Sequence, residues 1–266
     1  MAVNNSSSIR NLNNSLKDVD KSNERLASGK RINKAADDAA GLAIALALAT
    51  DTVTLQAASR NIDYGTSLNS IADAAAGQVS EIGTRMAELA TQAANGVLSD
   101  EQRSSLQQEY SELAQEAQRI VESTEFNGTK VFTSETVTFQ VGTGSDANSQ
   151  IALKGTNLAS VVSGVAAADI STQEGAKAAL EAVKGFVADI SSKRGEIGAV
   201  QSRLDTAQAN IASSIENASA ARARIEDADV ADETARRTAS LIRSDAATAA
   251  AAHGNLSANI VSQLLK

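Results

Sequence analysis

Residues 190–225 read ISSKRGEIGAVQSRLDTAQANIASSIENASAARARI, with an aliphatic residue at every seventh position. The unbroken series consists of Ile190, Ile197, Leu204, Ile211, Ala218 and Ile225. A repeat of seven keeps one stripe of an α-helix against a partner helix. A helix that begins near Thr172 and spans this stretch would be roughly 70 Å long, at about 1.5 Å per residue. The stretch therefore predicts an elongated helical protein. Arg194, Gln201 and Arg222 interrupt the second position of the repeat, which favours packing against two other helices over a symmetric dimer.

Partner helices are predicted on the N-terminal side. A stripe of apolar residues predicts a helix from about residue 51 to Asn95, where Asn95-Gly96 supplies a stop signal. Ser99 is a good N-cap for a third helix, which ends near Thr124.

The period changes after this third helix. Asn127-Gly128 is a strong turn signal, and residues 136–141 (TVTFQV) alternate and are rich in β-branched side chains. We expect a small β-hairpin region over about residues 126–160. Residues 155–175 are rich in Gly, Ser and Thr, and we expect them to be exposed.

The two ends of the chain carry further helical patterns. The apolar positions near the N-terminus are spaced as in a coiled-coil seam, with Asn23 in the missing slot; they are Ile9, Leu12, Leu16, Val19 and Leu26. A short amphipathic helix on an ordinary core is the alternative. The last turns present an aliphatic face that includes Leu256, Ile260 and Leu264, and a helix of this kind is marginal in water without a partner.

Composition supports a mainly α fold and excludes several kinds of chemistry. The 266 residues include no proline and only 2% aromatic residues, which is compatible with long helices packed through Ala, Leu, Ile and Val. There is no cysteine, and the net charge of −8 disfavours nucleic acid as a partner. The longest apolar run, at residues 41–49, is too short to span a bilayer, so we expect no membrane insertion.

No catalytic or metal site is expected. Asp37 and Asp38 have no histidine nearby, and adjacent helical residues point in different directions. His253 is the only histidine, which is too few for a usual zinc site. The mixed charges at 222–229 are interpreted as an ion-pair network at a junction. We therefore expect no enzymatic activity and no cofactor.

Four segments, in order along the chain, resemble a known family. They are RLASGKRINKAADDAAGLAIA at 25–45, QAASRN at 56–61, GAVQSRL at 198–204 and RIEDAD at 224–229. They are similar to the terminal conserved regions of bacterial flagellins. The resemblance implies a structural subunit that self-assembles into the flagellar filament for motility. It also implies secretion through the flagellar export apparatus, and because the first residues contain no apolar stretch we expect export without a cleaved signal peptide.

The resemblance also implies an architecture. We expect a long antiparallel helical rod or coiled-coil bundle with a small β-hairpin region and paired termini. An inner domain would combine residues 1–40 with 226–266 as the filament core. A second domain would combine 41–175 with 176–225. Only about fifty residues separate the conserved blocks, so the chain is similar to a short flagellin that lacks large variable outer domains.

Three sets of candidate residues follow. The terminal aliphatic residues are candidates for subunit assembly. By resemblance, Arg85, Leu89 and Glu109 match positions that engage an animal Toll-like receptor, with packing as the alternative role. The polar segment 134–175 is expected on the filament exterior, and its hydroxyl groups are candidates for O-glycosylation, namely those of Ser134, Thr143, Ser145 and Ser149.

The partners implied are other copies of the chain, an export chaperone, and hook-associated and cap proteins. Two other functions stay open from the sequence. One is a hook–filament junction protein of the same superfamily, and the other is an amphipathic, membrane-active secreted protein.

Overall fold

The fold comprises six α-helices and four short strands in the described part of the chain. The computed structural model describes the backbone of residues 2–155 and 157–264, and the side chains of 7–155 and 157–253. The helices are α1 (Ala2–Ser28), α2 (Ala39–Ala93), α3 (Asp100–Ser123), α4 (Ala159–Ala166), α5 (Gln173–Glu226) and α6 (Val230–Leu264). The strands are β1 (Glu125–Phe126), β2 (Thr129–Lys130), β3 (Val137–Gln140) and β4 (Gln150–Leu153). The predicted fold class, mainly α with a small β region, is confirmed.

Side-chain hydrogen bonds to backbone N–H groups cap the starts of α3 and α2. Ser99 caps α3 through a reciprocal pair of hydrogen bonds with Gln102, as a capping box does. The prediction that α2 begins near residue 51 was wrong by about three turns. The Asp38 carboxylate accepts a hydrogen bond from the Gly41 backbone N–H at 2.8 Å, and this caps the helix at its actual start.

The chain divides into two compact units. The first contains residues 1–52 and 216–266, and the second contains residues 53–215. The domains predicted from the sequence were an inner filament-core domain of residues 1–40 with 226–266, and a helical-rod domain of residues 41–175 with 176–225. They stay a prediction.

The second unit contains the main hydrophobic core. Four of the six residues of the α5 stripe lie in the cores of this unit, where Ile190, Ile197, Leu204 and Ile211 are all buried. The last two, Ala218 and Ile225, belong to the first unit and are half-buried. Beside the first four, α2 contributes Val79, Met86 and Leu89 to the larger core. The predicted α5 stripe therefore forms the packing surface expected of it.

The predicted β-hairpin region at about residues 126–160 contains two separate two-stranded sheets. β1 and β2 are antiparallel around Asn127-Gly128, whose φ angles of 51° and 76° fit the turn that such a pair requires. β3 and β4 pair in antiparallel register, with Phe139 opposite Ile151. Ile151 completes a smaller core with residues of α2 and α5, namely Ala58, Ile62, Leu204 and Ile211.

The expectation that residues 155–175 are exposed was wrong for the apolar residues of this segment, although polar residues such as Ser160 and Ser163 are exposed. This segment contains α4, and Leu158, Val162, Val165 and Ile170 are buried in the main core. The Tyr110 hydroxyl donates a hydrogen bond to the Val165 carbonyl at 3.1 Å. Leu158, Val162 and Val165 are spaced as on one face of a helix, and this spacing predicts burial. The prediction of exposure used only the average composition of the segment, which is rich in Gly, Ser and Thr.

Candidate assembly surface on the terminal helices

The first unit is built around the antiparallel pair of α1 and α6. The side chains buried between them are mostly small or polar: Ser15, Val19 and Ser22 on α1, and Glu233, Ser240 and Ser244 on α6. The Ser22 hydroxyl donates to the Glu233 carboxylate at 2.6 Å. Only one of these six buried residues is aliphatic, so this seam contributes little of the hydrophobic burial that usually holds helices together.

The seam is shifted from the one predicted. Leu12, Val19 and Leu26 face it, but Ile9 and Leu16 lie one position away and are exposed. Ser8, Ser15 and Ser22 occupy the positions predicted for Ile9, Leu16 and Asn23. The exposed Asn23 accepts a hydrogen bond from Arg237 at 2.7 Å. The predicted set and the serine set both repeat every seven residues, so spacing alone does not distinguish them. Serine is smaller than leucine and allows the two helices to approach more closely.

Aliphatic side chains lie on the outside of this unit. Ile9 and Leu16 are 48% and 45% exposed on α1, and Ile242 is 64% exposed on α6. The predicted assembly residues Leu256, Ile260 and Leu264 lie outside the residues whose side chains are described. The described part of both helices therefore presents apolar groups to the surroundings.

The beginning of α2 is also apolar and exposed. Residues 39–50 contain no charged side chain, and Ile44 and Leu46 are 53% and 59% exposed. Of the helices searched, α2 alone is long and apolar enough to cross a membrane, judged by length and composition alone. The core helix of a soluble protein can meet that criterion too. The absence of membrane insertion stays a prediction.

The candidate receptor residues divide into two groups. The Arg85 guanidinium donates two hydrogen bonds to the Glu109 carboxylate, at 3.0 and 2.8 Å, and both side chains are exposed. Leu89 is fully buried in the main core. The structure thus brings Arg85 and Glu109 together on the surface, with Leu89 beneath it.

The candidate glycosylation residues differ in accessibility. Ser134, Thr143 and Ser145 are exposed, whereas Ser149 is half-buried. The Ser149 hydroxyl donates to the Asp146 carboxylate at 2.8 Å, and this bond lowers the pKa of Asp146. The first three hydroxyls are therefore the more accessible ones.

Arg103 is a buried arginine with a structural role that the sequence did not predict. Its guanidinium donates to the backbone carbonyls of Asn95 and Leu98, at 2.8 and 2.9 Å, and to that of Ala93. It thus binds the carbonyl of the last residue of α2 and two carbonyls of the loop that leads to α3. An arginine in the first turn of α3, where acidic residues are usual, was the available signal.

The mixed-charge cluster predicted at 222–229 includes a buried carboxylate. Lys30 lies 2.6 Å and Arg222 2.8 Å from the Glu226 carboxylate. Hydrogen bonding to Lys30 and, to a smaller degree, to Arg222 lowers the pKa of Glu226. Among the residues described, no group of three or more His, Cys, Asp or Glu side chains could hold a metal ion.

Comparisons with known proteins place these features in context. A family model described as the bacterial flagellin N-terminal helical region matches residues 1–136, and one described as the C-terminal helical region matches residues 180–265. A flagellin from Halalkalibacterium halodurans is 36% identical over 97% of this chain and 95% of its own length. A flagellar filament core protein from Treponema maltophilum is 33% identical over 91% and 90% of the two chains.

A solved structure gives a similar result. The crystal structure of Bacillus cereus flagellin superposes with a TM-score of 0.53 at 30% identity, covering 57% of this chain and 88% of that one.

Proposed function

The chain belongs to the bacterial flagellin family, and we propose that it is a structural subunit that self-assembles into the bacterial flagellar filament for motility. The observation that carries this proposal is the outward-facing apolar surface of the first unit. Full burial of an aliphatic side chain contributes roughly 1.5–3 kcal/mol. Side chains such as Leu16 and Ile242 lose much of that contribution in a single chain. Contacts with neighbouring copies would supply it at every subunit of a polymer.

Family membership supports three further parts of this proposal. The protein functions outside the cell as part of a filament, and it is exported without a cleaved signal peptide. Its partners besides itself are the export apparatus and chaperone, and hook-associated and cap proteins. We further propose that it acts as a structural protein, without enzymatic activity or a cofactor.

The domain division is part of the same proposal. Residues 1–40 with 226–266 form the filament core, in which Ile9, Leu12, Leu16, Val19 and Leu26 contribute to assembly together with the C-terminal aliphatic residues. Residues 41–225 form the helical domain, which displays the exposed hydroxyls of Ser134, Thr143 and Ser145 for O-glycosylation, with the half-buried Ser149 less accessible.

A second function concerns recognition by an animal host. The exposed Arg85–Glu109 pair is a preformed polar surface that a Toll-like receptor could bind. Leu89 supports this surface from the core and does not contact the receptor in this conformation. Receptor-reporter cells treated with an Arg85→Ala variant test this idea. An unchanged response would limit Arg85 to packing.

Electron microscopy of the purified protein after seeding tests the main proposal. Long helical filaments are expected. Short caps or rings would favour the junction protein, and binding to liposomes without filaments would favour the membrane-active protein. Either of these two outcomes would overturn the proposed function.

A further inference from the structure

The loop between α2 and α3 contains one of the two Asn-Gly pairs of the chain. It reads ANGVLS at residues 94–99, and Asn95, Gly96 and Val97 are all exposed. In an Asn-Gly pair the glycine nitrogen can attack the side-chain amide carbon of the asparagine, because glycine has no Cβ to hinder the approach. This reaction converts asparagine to aspartate or isoaspartate without an enzyme. Its rate depends on how the fold holds the two groups that react.

The side chain of Asn95 is folded back over the peptide group that follows it. The Val97 backbone N–H donates to the Asn95 Oδ1 at 3.2 Å, and this bond brings the amide carbon towards the Gly96 nitrogen. When the nitrogen attacks, negative charge develops on Oδ1, the atom that already accepts the hydrogen bond from Val97. A donor aimed at the oxygen where charge develops stabilises the transition state.

A buried cation lies against the same peptide group. The Arg103 guanidinium donates to the main-chain carbonyl of Asn95 at 2.8 Å, and Arg103 is only 7% exposed. This carbonyl and the Gly96 N–H belong to one peptide group, so loss of the N–H proton places negative charge on the carbonyl oxygen. A positive charge at hydrogen-bond distance in a largely buried site stabilises that anion. Arg103 therefore favours the deprotonated nitrogen that attacks.

The other Asn-Gly pair, in the turn between β1 and β2, is held in a conformation that disfavours the reaction. Asn127 has a φ of 51°, in the left-handed region. There the next peptide nitrogen points away from the asparagine Cβ, so the amide carbon reaches it only if the turn opens. The pairing of Phe126 with Thr129 resists this opening. By contrast, Asn95 has an ordinary negative φ, and no hydrogen bond among the described residues uses the Gly96 N–H.

We propose that Asn95 is a self-modification site, where Arg103 and the Val97 N–H accelerate deamidation. The Gly96 N–H proton passes to solvent, a bond forms between the Gly96 nitrogen and the Asn95 Cγ, and the Cγ–Nδ2 bond breaks to release ammonia. The succinimide that results takes up a water molecule and opens at either carbonyl, which gives aspartate or isoaspartate at position 95. Water is the co-reactant, and no oxidant or reductant is needed. The product places a new carboxylate in an exposed loop beside Arg103.

Peptide mapping by mass spectrometry measures this reaction in the full chain, because replacement of an amide by an acid raises the mass of the peptide. The chain is incubated in mildly alkaline buffer, and Asn95 and Asn127 are followed in the same samples. Synthetic peptides of residues 90–100 and 122–132 give the rate of each sequence without the fold. We expect Asn95 to react roughly tenfold faster in the full chain than in its peptide, as one charge-assisted hydrogen bond allows. Asn127 should react more slowly in the full chain than in its peptide.

Variants separate this activation from the general reactivity of an Asn-Gly pair. Arg103→Gln removes the cation and should slow the reaction at Asn95 roughly tenfold, whereas Arg103→Lys keeps the charge and should retain part of the rate. Gly96→Ala should nearly abolish the reaction, and the loop has room for it because the added Cβ would lie 3.5 Å from the Gln173 Nε2. Glu109→Gln, which removes an exposed charge of the second unit, is the matched control and should leave the rate unchanged. Circular dichroism checks that each variant is folded.

A rate at Asn95 in the full chain no higher than in its peptide would overturn the proposal, whatever the variants show. An unchanged rate in folded Arg103→Gln would overturn the role of Arg103. The assay requires no filament formation, so its outcome is separate from that of the proposed function.

Discussion

The α1–α6 pair and the α2–α5 pair are both long helix pairs, but they are packed in different ways. Between α2 and α5, aliphatic layers alternate with polar positions whose side chains find partners across the seam. Arg194 binds Asp73 at 2.8 Å, Gln201 binds Asn69 at 3.1 Å and Gln208 binds Ser59 at 2.9 Å. Between α1 and α6, the buried residues are mostly serines, and several aliphatic residues face outward. The buried α2–α5 seam of the second unit is formed within one chain, whereas the α1–α6 pair has apolar surface left for other copies.

The largest expected effect comes from deleting residues 255–266. The deletion removes Leu256, Ile260 and Leu264 but leaves the cores of the second unit intact, so polymerisation should be lost while most helical signal remains. Seeded polymerisation and circular dichroism check both parts. Normal filaments from the deletion would refute the assembly role of this segment, and loss of most helical signal would place the domain boundary elsewhere.

Leu204→Ala should strongly destabilise the free chain. Leu204 is fully buried between α2 and α5, and truncation at such sites lowers the free energy of unfolding by about 2–5 kcal/mol. Leu16→Ala, on the exposed face of α1, is the matched control and should have little effect on the free chain. Chemical denaturation measures both variants. Equal losses of stability would remove the distinction between the two pairs.

Tyr110→Phe, in the main core of the second unit, should have a smaller effect. The hydroxyl donates a hydrogen bond to the Val165 carbonyl, and its loss should lower the free energy of unfolding by about 1 kcal/mol. Burial raises the pKa of Tyr110 to about 12, so this bond persists at alkaline pH. Thermal unfolding of the variant at pH 7 checks the expected loss. An unchanged midpoint would show that α4 is held by its aliphatic residues alone.

The contribution of Asp37 should depend on pH. Its hydrogen bond with Lys21, and those from the backbone N–H groups of Asn33 and Lys34, lower the pKa of Asp37 from 3.8 to about 2. Because the pKa is lower in the folded state, the stabilisation is fully present above about pH 4 and is lost as the pH falls towards 2. Thermal unfolding of the unmodified chain and of Asp37→Asn should differ at pH 5 and converge at pH 2. A constant difference would contradict this assignment.

The smallest effect is expected at the surface pair of Arg85 and Glu109. Both side chains are about half exposed, and such pairs contribute about 0.2–1 kcal/mol. A double-mutant cycle with Arg85→Gln and Glu109→Gln measures the coupling in chemical denaturation. A much larger coupling would make this pair a structural element of the second unit.

The sequence predicted the elements whose signals are local and periodic. The seven-residue stripe of α5 and the Ser99 cap of α3 depend on neighbours along one helix, and both are present in the structure. The phase of the α1 seam could not be predicted, because a serine such as Ser15 fits a close helix contact but does not look like a core residue. The burial of α4 and the Arg103 hydrogen bonds depend on partners distant in space.

The accessibility of the candidate site residues also depends on packing and hydrogen bonding in the fold, and could not be predicted from the sequence. Resemblance identified Arg85, Leu89 and Glu109 as a set, but only helix packing decides that Leu89 faces the core while the two charged residues face solvent. Similarly, composition marked Ser149 and Ser145 as equivalent. A hydrogen bond to Asp146 separates them.

The most direct test of the central claim is the accessibility of residue 242 before and after assembly. The chain contains no cysteine, so a maleimide label on Ile242→Cys reports this position alone. Ser145→Cys, in the exposed loop of the second unit, is the matched control. We predict fast labelling of both variants as free chains, and strong protection of position 242 alone in assembled filaments. Labelling of Cys at position 242 at the same rate in filaments as in the free chain would contradict the proposal that the outward aliphatic face of the terminal helices binds neighbouring copies.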